Sequence, residues 1–194
     1  MKRRIYKSVF ATIPVRFRLA VCALVVCSPG YAEDVVKGNF ELIDHHAQVV
    51  TEHSYDGKLR LVYFGFTRCP DVCPTTLFEV ALVMRHLGDD ASNVQPIFIS
   101  VDRENDTPEI LASYVAVFHP ALVGLSGSKQ QLDTVAASFN VTYGVTPAPD
   151  SDSGIDSVFH SSYLFLMDRN GKFLDVFGHG AKAAAIEARL REYF

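Results

Sequence analysis

Leu59-Arg60-Leu61-Val62-Tyr63-Phe64-Gly65 runs directly into Phe66-Thr67-Arg68-Cys69-Pro70-Asp71-Val72-Cys73-Pro74, and this junction decides the fold. The first seven residues form a dense apolar run of strand length, suited to a strand buried on both faces. Beyond the junction, Leu77, Val80, Ala81, Met84 and Leu87 recur at helical spacing over residues 75–87, and Gly88 stops the helix. A buried strand thus feeds a helix through a short turn that carries two cysteines.

Downstream, Pro96 to Val101 reads as the next buried strand. Asp106-Thr107-Pro108-Glu109 is a helix start, with a capping side chain, a proline in the first turn and an acid near the positive end of the dipole. That helix should end by Phe118, before Pro120. Leu122 to Leu125 suits a short strand, and Lys129 to Phe139 a helix. Residues 142–158 hold Pro147, Pro149 and Gly154 among Ser and Asp residues, so we read them as a long loop. Tyr163 to Met167 and Phe173 to Phe177 form a hairpin about Asn170-Gly171, and residues 181–193 form a last helix. Upstream, Phe40 to Asp44 and Gln48 to Val50 pair as a short hairpin. This order predicts an α/β, thioredoxin-like sandwich: a central mixed sheet flanked by helices, with an N-terminal hairpin extension, over residues 33–194.

Residues 1–32 differ in kind. Lys2, Arg3, Arg4, Lys7, Arg16 and Arg18 are basic, and no acid precedes Glu33. An apolar run, Leu19 to Cys27, leads to Pro29-Gly30-Tyr31-Ala32. This is the layout of a secretory signal cut after Ala32, which predicts export to the periplasm or its equivalent. An uncleaved anchor is the alternative and would be the chain's sole attachment to a membrane; Arg16 and Arg18 interrupt the run it would need. An organelle transit peptide shares the Arg-rich, acid-poor composition. Removing those six basic residues from 18 Lys+Arg leaves 12 against 22 Asp+Glu, a net charge of about −10. That balance argues against a nucleic-acid partner.

Two of the four cysteines, Cys22 and Cys27, lie in the signal. Exported domains use cysteines as staples between distant segments, but a Cys69–Cys73 bridge would close almost no loop. Chemistry is the better reading. A four-residue offset puts both sulfurs on one side of the first helical turn, where the helix dipole favours thiolate. Two adjacent thiolates form a soft pair that suits Cu(I). His160 begins the strand that should lie beside Leu59–Gly65, so its imidazole could complete a three-coordinate site. A closed zinc site wants four ligands, and no fourth is evident.

The chain resembles the Sco/SenC family of copper chaperones for cytochrome c oxidase assembly. The resemblance runs from about Phe40 to the C-terminus. It rests on Lys58 to Pro74, on Ile99 to Pro120, on His160 with Tyr163-Leu164, and on Asp168-Arg169-Asn170-Gly171. It implies a thioredoxin-like fold and copper held by Cys69, Cys73 and His160. It also implies delivery of copper to the dinuclear copper site of an oxidase subunit, or reduction of that site's cysteines. Many family members carry Asp immediately before the ligand histidine, where this chain has Phe159; Asp156 could substitute. Asp71 matches the family motif between the cysteines, and Asp102 reads as a capping or turn residue.

A competing function is an exported thiol–disulfide oxidoreductase, in which Cys69 and Cys73 act as a redox-active pair, served by a thioredoxin-like reductant. The three intervening residues, where thioredoxins have two, favour copper. So does the His160 segment, which stands where thioredoxins place a cis-proline. A peroxidase of the same fold fits less well, since Thr67 has one intervening residue before Cys69 where peroxiredoxins have two. His45, His46 and His53 read as surface turn residues; His86 and His119 lie near helix ends.

Overall fold

The computed structural model describes residues 36–146 and 157–194; the segment read as a signal lies outside them. Seven strands form one sheet: β1 (Glu41–Asp44), β2 (Val49–Thr51), β3 (Leu59–Gly65), β4 (Val94–Ser100), β5 (Val123–Ser126), β8 (Leu164–Met167) and β9 (Phe173–Phe177). Their spatial order is β2-β1-β5-β4-β3-β8-β9. β3, β4 and β5 run parallel, and the outer strands pair antiparallel. β3 lies centrally, between β4 and β8, and is buried along its whole length.

Alternation along β3 divides the core. Leu61 and Tyr63 face one layer, with Leu77, Val80, Val83 and Met84 of α1 (Val72–Leu87), Leu111 and Val115 of α2 (Pro108–Ala116), and Ile186 and Leu190 of α4 (Ala183–Arg191). Val62 and Phe64 face the other, with Leu132, Val135 and Ala136 of α3 (Lys129–Ser138) and Phe40 and Leu42 of the N-terminal hairpin. Each fully buried Leu or Phe contributes about 1.5–3 kcal/mol relative to exposure. Arg60 is the exception within β3. Its side chain runs out of the sheet to pair with Asp56 at 2.7 Å, as a buried cation must.

This is the mixed sheet flanked by helices that the order of elements predicts. Two local expectations change. First, α1 begins at Val72 instead of Thr75, so Cys73 is already helical while Cys69 sits in the turn before it. Second, residues 142–158 are not simply a loop. β6 (Tyr143–Thr146) and β7 (Ser157–His160) pair antiparallel as a separate two-stranded ribbon, with Tyr143 opposite His160. The polar, proline-bearing composition between them masked two short strands whose partner is each other. His160 therefore ends β7 and does not begin β8, which starts at Leu164.

Candidate metal centre

The site forms where β3 leaves the sheet. Gly65 is needed there, because a Cβ on it would stand 3.0 Å from the Cys73 sulfur and 2.6 Å from the Phe98 ring. The chain then turns, with the Cys69 N–H donating to Phe66 O at 3.2 Å, and enters α1 at Val72. The Cys73 N–H donates to the Cys69 sulfur at 3.4 Å.

The loop carrying Cys69 is held by two carboxylates from the segment after β4. Asp106 is 1% exposed. It accepts from Thr67 N–H at 2.9 Å, from the Thr67 hydroxyl at 2.5 Å and from the Ser100 hydroxyl at 2.5 Å. Asp102 accepts from Arg68 Nη2 at 2.8 Å and from Asn105 Nδ2 at 2.8 Å. The motif between Ser100 and Pro108 thus fastens the loop that bears Cys69. The helix start read at Asp106-Thr107-Pro108-Glu109 has Thr107 as its cap, whose side chain accepts from Ile110 N–H, while Asp106 turns inward. Asp102 is the turn residue expected, its carbonyl accepting from Asn105 and Asp106 N–H, and it is also the ion-pair anchor of Arg68. Four-residue patterns cannot show this, because the partners lie 34 to 39 positions away.

β7 brings His160 to the sulfurs from the other side. Its Nε2 lies 3.4 Å from the Cys73 sulfur. Its Nδ1 lies 3.1 Å from Ser161 O. A carbonyl only accepts, so Nδ1 carries the hydrogen and Nε2 presents its lone pair to the sulfur. Tyr63 and Phe66 meet the imidazole edge-on, with centroids at 6.0 and 5.9 Å. Burial lowers the His160 pKa and keeps the ring neutral, as a ligand must be. Donor atoms of Cys69, Cys73 and His160 all lie within 4.8 Å of one another. Two sulfurs and one imidazole nitrogen, with no carboxylate among them, suit a soft cation in a three-coordinate site.

Burial pushes the Cys73 thiol up to about 12, reinforced by the adjacent Cys69 thiol. The helix dipole at the start of α1 was expected to favour thiolate. For Cys73, which is 0% exposed, desolvation outweighs it.

The remaining candidates fall elsewhere. Asp71 is exposed at the start of α1, and Thr75 Oγ1 reaches it at 3.4 Å. Phe159 points away from the sulfurs; its half-exposed ring covers Gly144 across the ribbon. The orienting bond that a neighbouring carboxylate could give His160 comes from the Ser161 carbonyl. Asp156 lies outside the described residues. His45 Nδ1 accepts the Gly124 N–H at 3.0 Å, His86 meets Glu187 at 3.2 Å, and His53 meets Asp56 at 3.2 Å. Among the described residues no peptide bond is cis.

The SCO1/SenC family profile matches residues 29–194. The chain belongs to the SCO1/SenC family. A SCO2-like protein of Rickettsia felis is 40% identical over 147 residues, covering 75% of this chain and 71% of that protein. The human mitochondrial SCO1 homolog is 38% identical over 162 residues, covering 80% of this chain and 53% of the human protein. Among solved structures, Bradyrhizobium japonicum ScoI with copper bound superposes with a TM-score of 0.74 at 40% identity, covering 82% of this chain and 99% of that one. Membership fixes the thioredoxin-like fold.

Proposed function

We propose that this SCO1/SenC protein is a copper chaperone: Cys69, Cys73 and His160 hold copper and pass it to the dinuclear copper site of a cytochrome c oxidase subunit, or reduce that site's cysteines. The observation that carries the reading is the convergence of two sulfurs and one neutral imidazole within 4.8 Å from separate elements of the fold. The relative solved with copper bound supports the choice of metal, and the family resemblance supports the oxidase as recipient. In the metal-free protein Cys73 keeps its proton, directed at His160 Nε2. Loading displaces that proton and leaves three donors facing one point. Residues 1–32 act as an export signal in this reading, and residues 33–194 are the working domain.

The same cysteines permit thiol–disulfide exchange, and both are free thiols side by side. A dedicated reductase, however, has no need of an imidazole aimed at the buried sulfur. Replacing His160 separates the two. In an anaerobic titration of the reduced protein, His160→Ala should weaken copper retention by about 100-fold or more, since even supporting residues of metal sites are worth 10–100-fold. X-ray absorption should then count two sulfurs without nitrogen, while the Cys69–Cys73 midpoint potential stays put. Wild-type affinity and ligand count in His160→Ala would leave the reductase as the better account.

A further inference from the structure

Behind the sulfurs lies a polar atom that the metal-free site does not use. Tyr63 sits on β3, 0% exposed, with Phe98 opposite it on β4 and Leu164 on β8. Its ring lies 6.4 Å from that of Phe98 and meets the His160 imidazole edge-on. Its hydroxyl is buried and has no hydrogen-bond partner among the described residues. Leaving a buried hydroxyl unsatisfied costs about 1–3 kcal/mol, which a phenylalanine in the same place would avoid. The polar atoms that act on it are the Cys73 sulfur, the Thr76 hydroxyl and the Cys69 sulfur. Thr76 spends its proton on Val72 O at 2.9 Å and keeps its oxygen lone pairs. Of these neighbours, only the sulfurs gain negative charge when metal binds.

We propose that Tyr63 donates a hydrogen bond to the Cys73 sulfur once that sulfur binds metal, and that this bond sets how strongly the thiolate gives electron density to copper. The inference rests on the copper reading above. A phenol's ordinary pKa of about 10 keeps it a donor at working pH. Against a neutral thiol that donor gains little, because sulfur in S–H is a weak acceptor. When metal displaces the thiol proton, the sulfur becomes anionic, and an O–H···S bond in a dry site is charge-assisted. The bond therefore strengthens on loading. Hydrogen bonding at a cysteine sulfur is one of the levers that set copper potentials. Withdrawing density from the thiolate favours Cu(I) over Cu(II). Tyr63 is a positioning residue in this scheme, since it touches the ligand and not the metal.

Tyr114 of α2 supplies the control. Its hydroxyl is also buried without a partner among the described residues, and its ring meets that of Phe98 at a tilt, with centroids 5.4 Å apart. It feels the charge of both cysteines, but its ring packs between those of Phe98 and Phe118, away from the His160 imidazole that Tyr63 meets. The test is to load the reduced protein with Cu(II), record the thiolate-to-copper absorption band, and measure the Cu(II)/Cu(I) midpoint. Tyr63→Phe keeps the ring and deletes the donor. It should move the band to lower energy and change the Cu(I) preference by about tenfold, which is 59 mV for one electron, toward Cu(II). Tyr114→Phe should leave both at wild type. Placing 3-fluorotyrosine at position 63, a stronger donor on the same ring, should move the band to higher energy. An unshifted band and midpoint in Tyr63→Phe would overturn the proposal, as would an equal shift in Tyr114→Phe. If Tyr63→Phe does not fold, the fluorinated protein decides, and an unmoved band overturns it. A wild type that forms no such band would overturn both this inference and the copper reading. A wild-type band with a silent Tyr63→Phe would overturn this inference alone.

Discussion

Burial favours the neutral form of both Cys73 and His160 in the metal-free protein, where the imidazole Nε2 lies 3.4 Å from the sulfur. That has a pH consequence with a definite sign. A thiol pushed up to about 12 is protonated throughout the working range, so copper must displace its proton. Apparent affinity should rise by at least about tenfold per pH unit between pH 7 and pH 9, one proton leaving per metal bound. His160 adds nothing over that range, since its pKa is lowered from an ordinary value already below 7. A flat affinity profile would mean that Cys73 is thiolate before loading. Asp106 acts at the same scale. It takes three hydrogen bonds and, among the described residues, pairs with no cation. Asp106→Asn removes an acceptor and turns an NH₂ toward groups that themselves donate. It should destabilise the fold by about 1–3 kcal/mol and weaken copper retention by freeing Thr67, both read from melting curves with and without copper.

At the scale of elements, the site is the meeting of a strand end, a helix start and a ribbon. β3 stops at Gly65, which allows Cys73 and Phe98 to close in behind it. Gly65→Ala would force a methyl between them. Overpacking of this kind costs about 1–3 kcal/mol, and here it also pushes the sulfur off its position. A melting temperature that falls together with copper affinity is the expected outcome; lowered stability with intact affinity would show that the sulfur does not depend on the strand end. The β6–β7 ribbon fixes the other half of the site. Tyr143 pairs with His160, and the Ser161 N–H donates to Thr142 O at 2.9 Å, so the histidine is held by backbone pairing.

For the whole molecule, the net charge of the domain after Ala32 is about −10, carried on a fold whose described helices are all too short or too polar to cross a membrane. If the first 32 residues are a removable signal, mass spectrometry of the exported protein should find a chain starting at or near Glu33. An intact Met1 chain in the membrane fraction would replace the signal with an anchor.

The strand-to-helix junction was legible in the sequence because its information is local: a run of apolar residues, then helical spacing, then a glycine stop. The two cysteines could be read for the same reason, since their offset of four is a property of one turn. The N-terminal and C-terminal hairpins, the helix start at Pro108 and the order of elements followed from short-range periodicity and turn chemistry. Contacts across the fold were another matter. Thr67 meets Asp106, Arg68 meets Asp102, and His160 meets Cys73 at separations of 39, 34 and 87 residues, and no pattern in the chain encodes those distances. The ribbon that carries His160 was hidden because each short strand gains its partner only from the other. Whether Cys73 is thiol or thiolate was likewise a tertiary decision. The sequence placed it at a helix start, which favours charge, but the packing of Tyr63, Phe98 and Gly65 around it removes the water a charge would need.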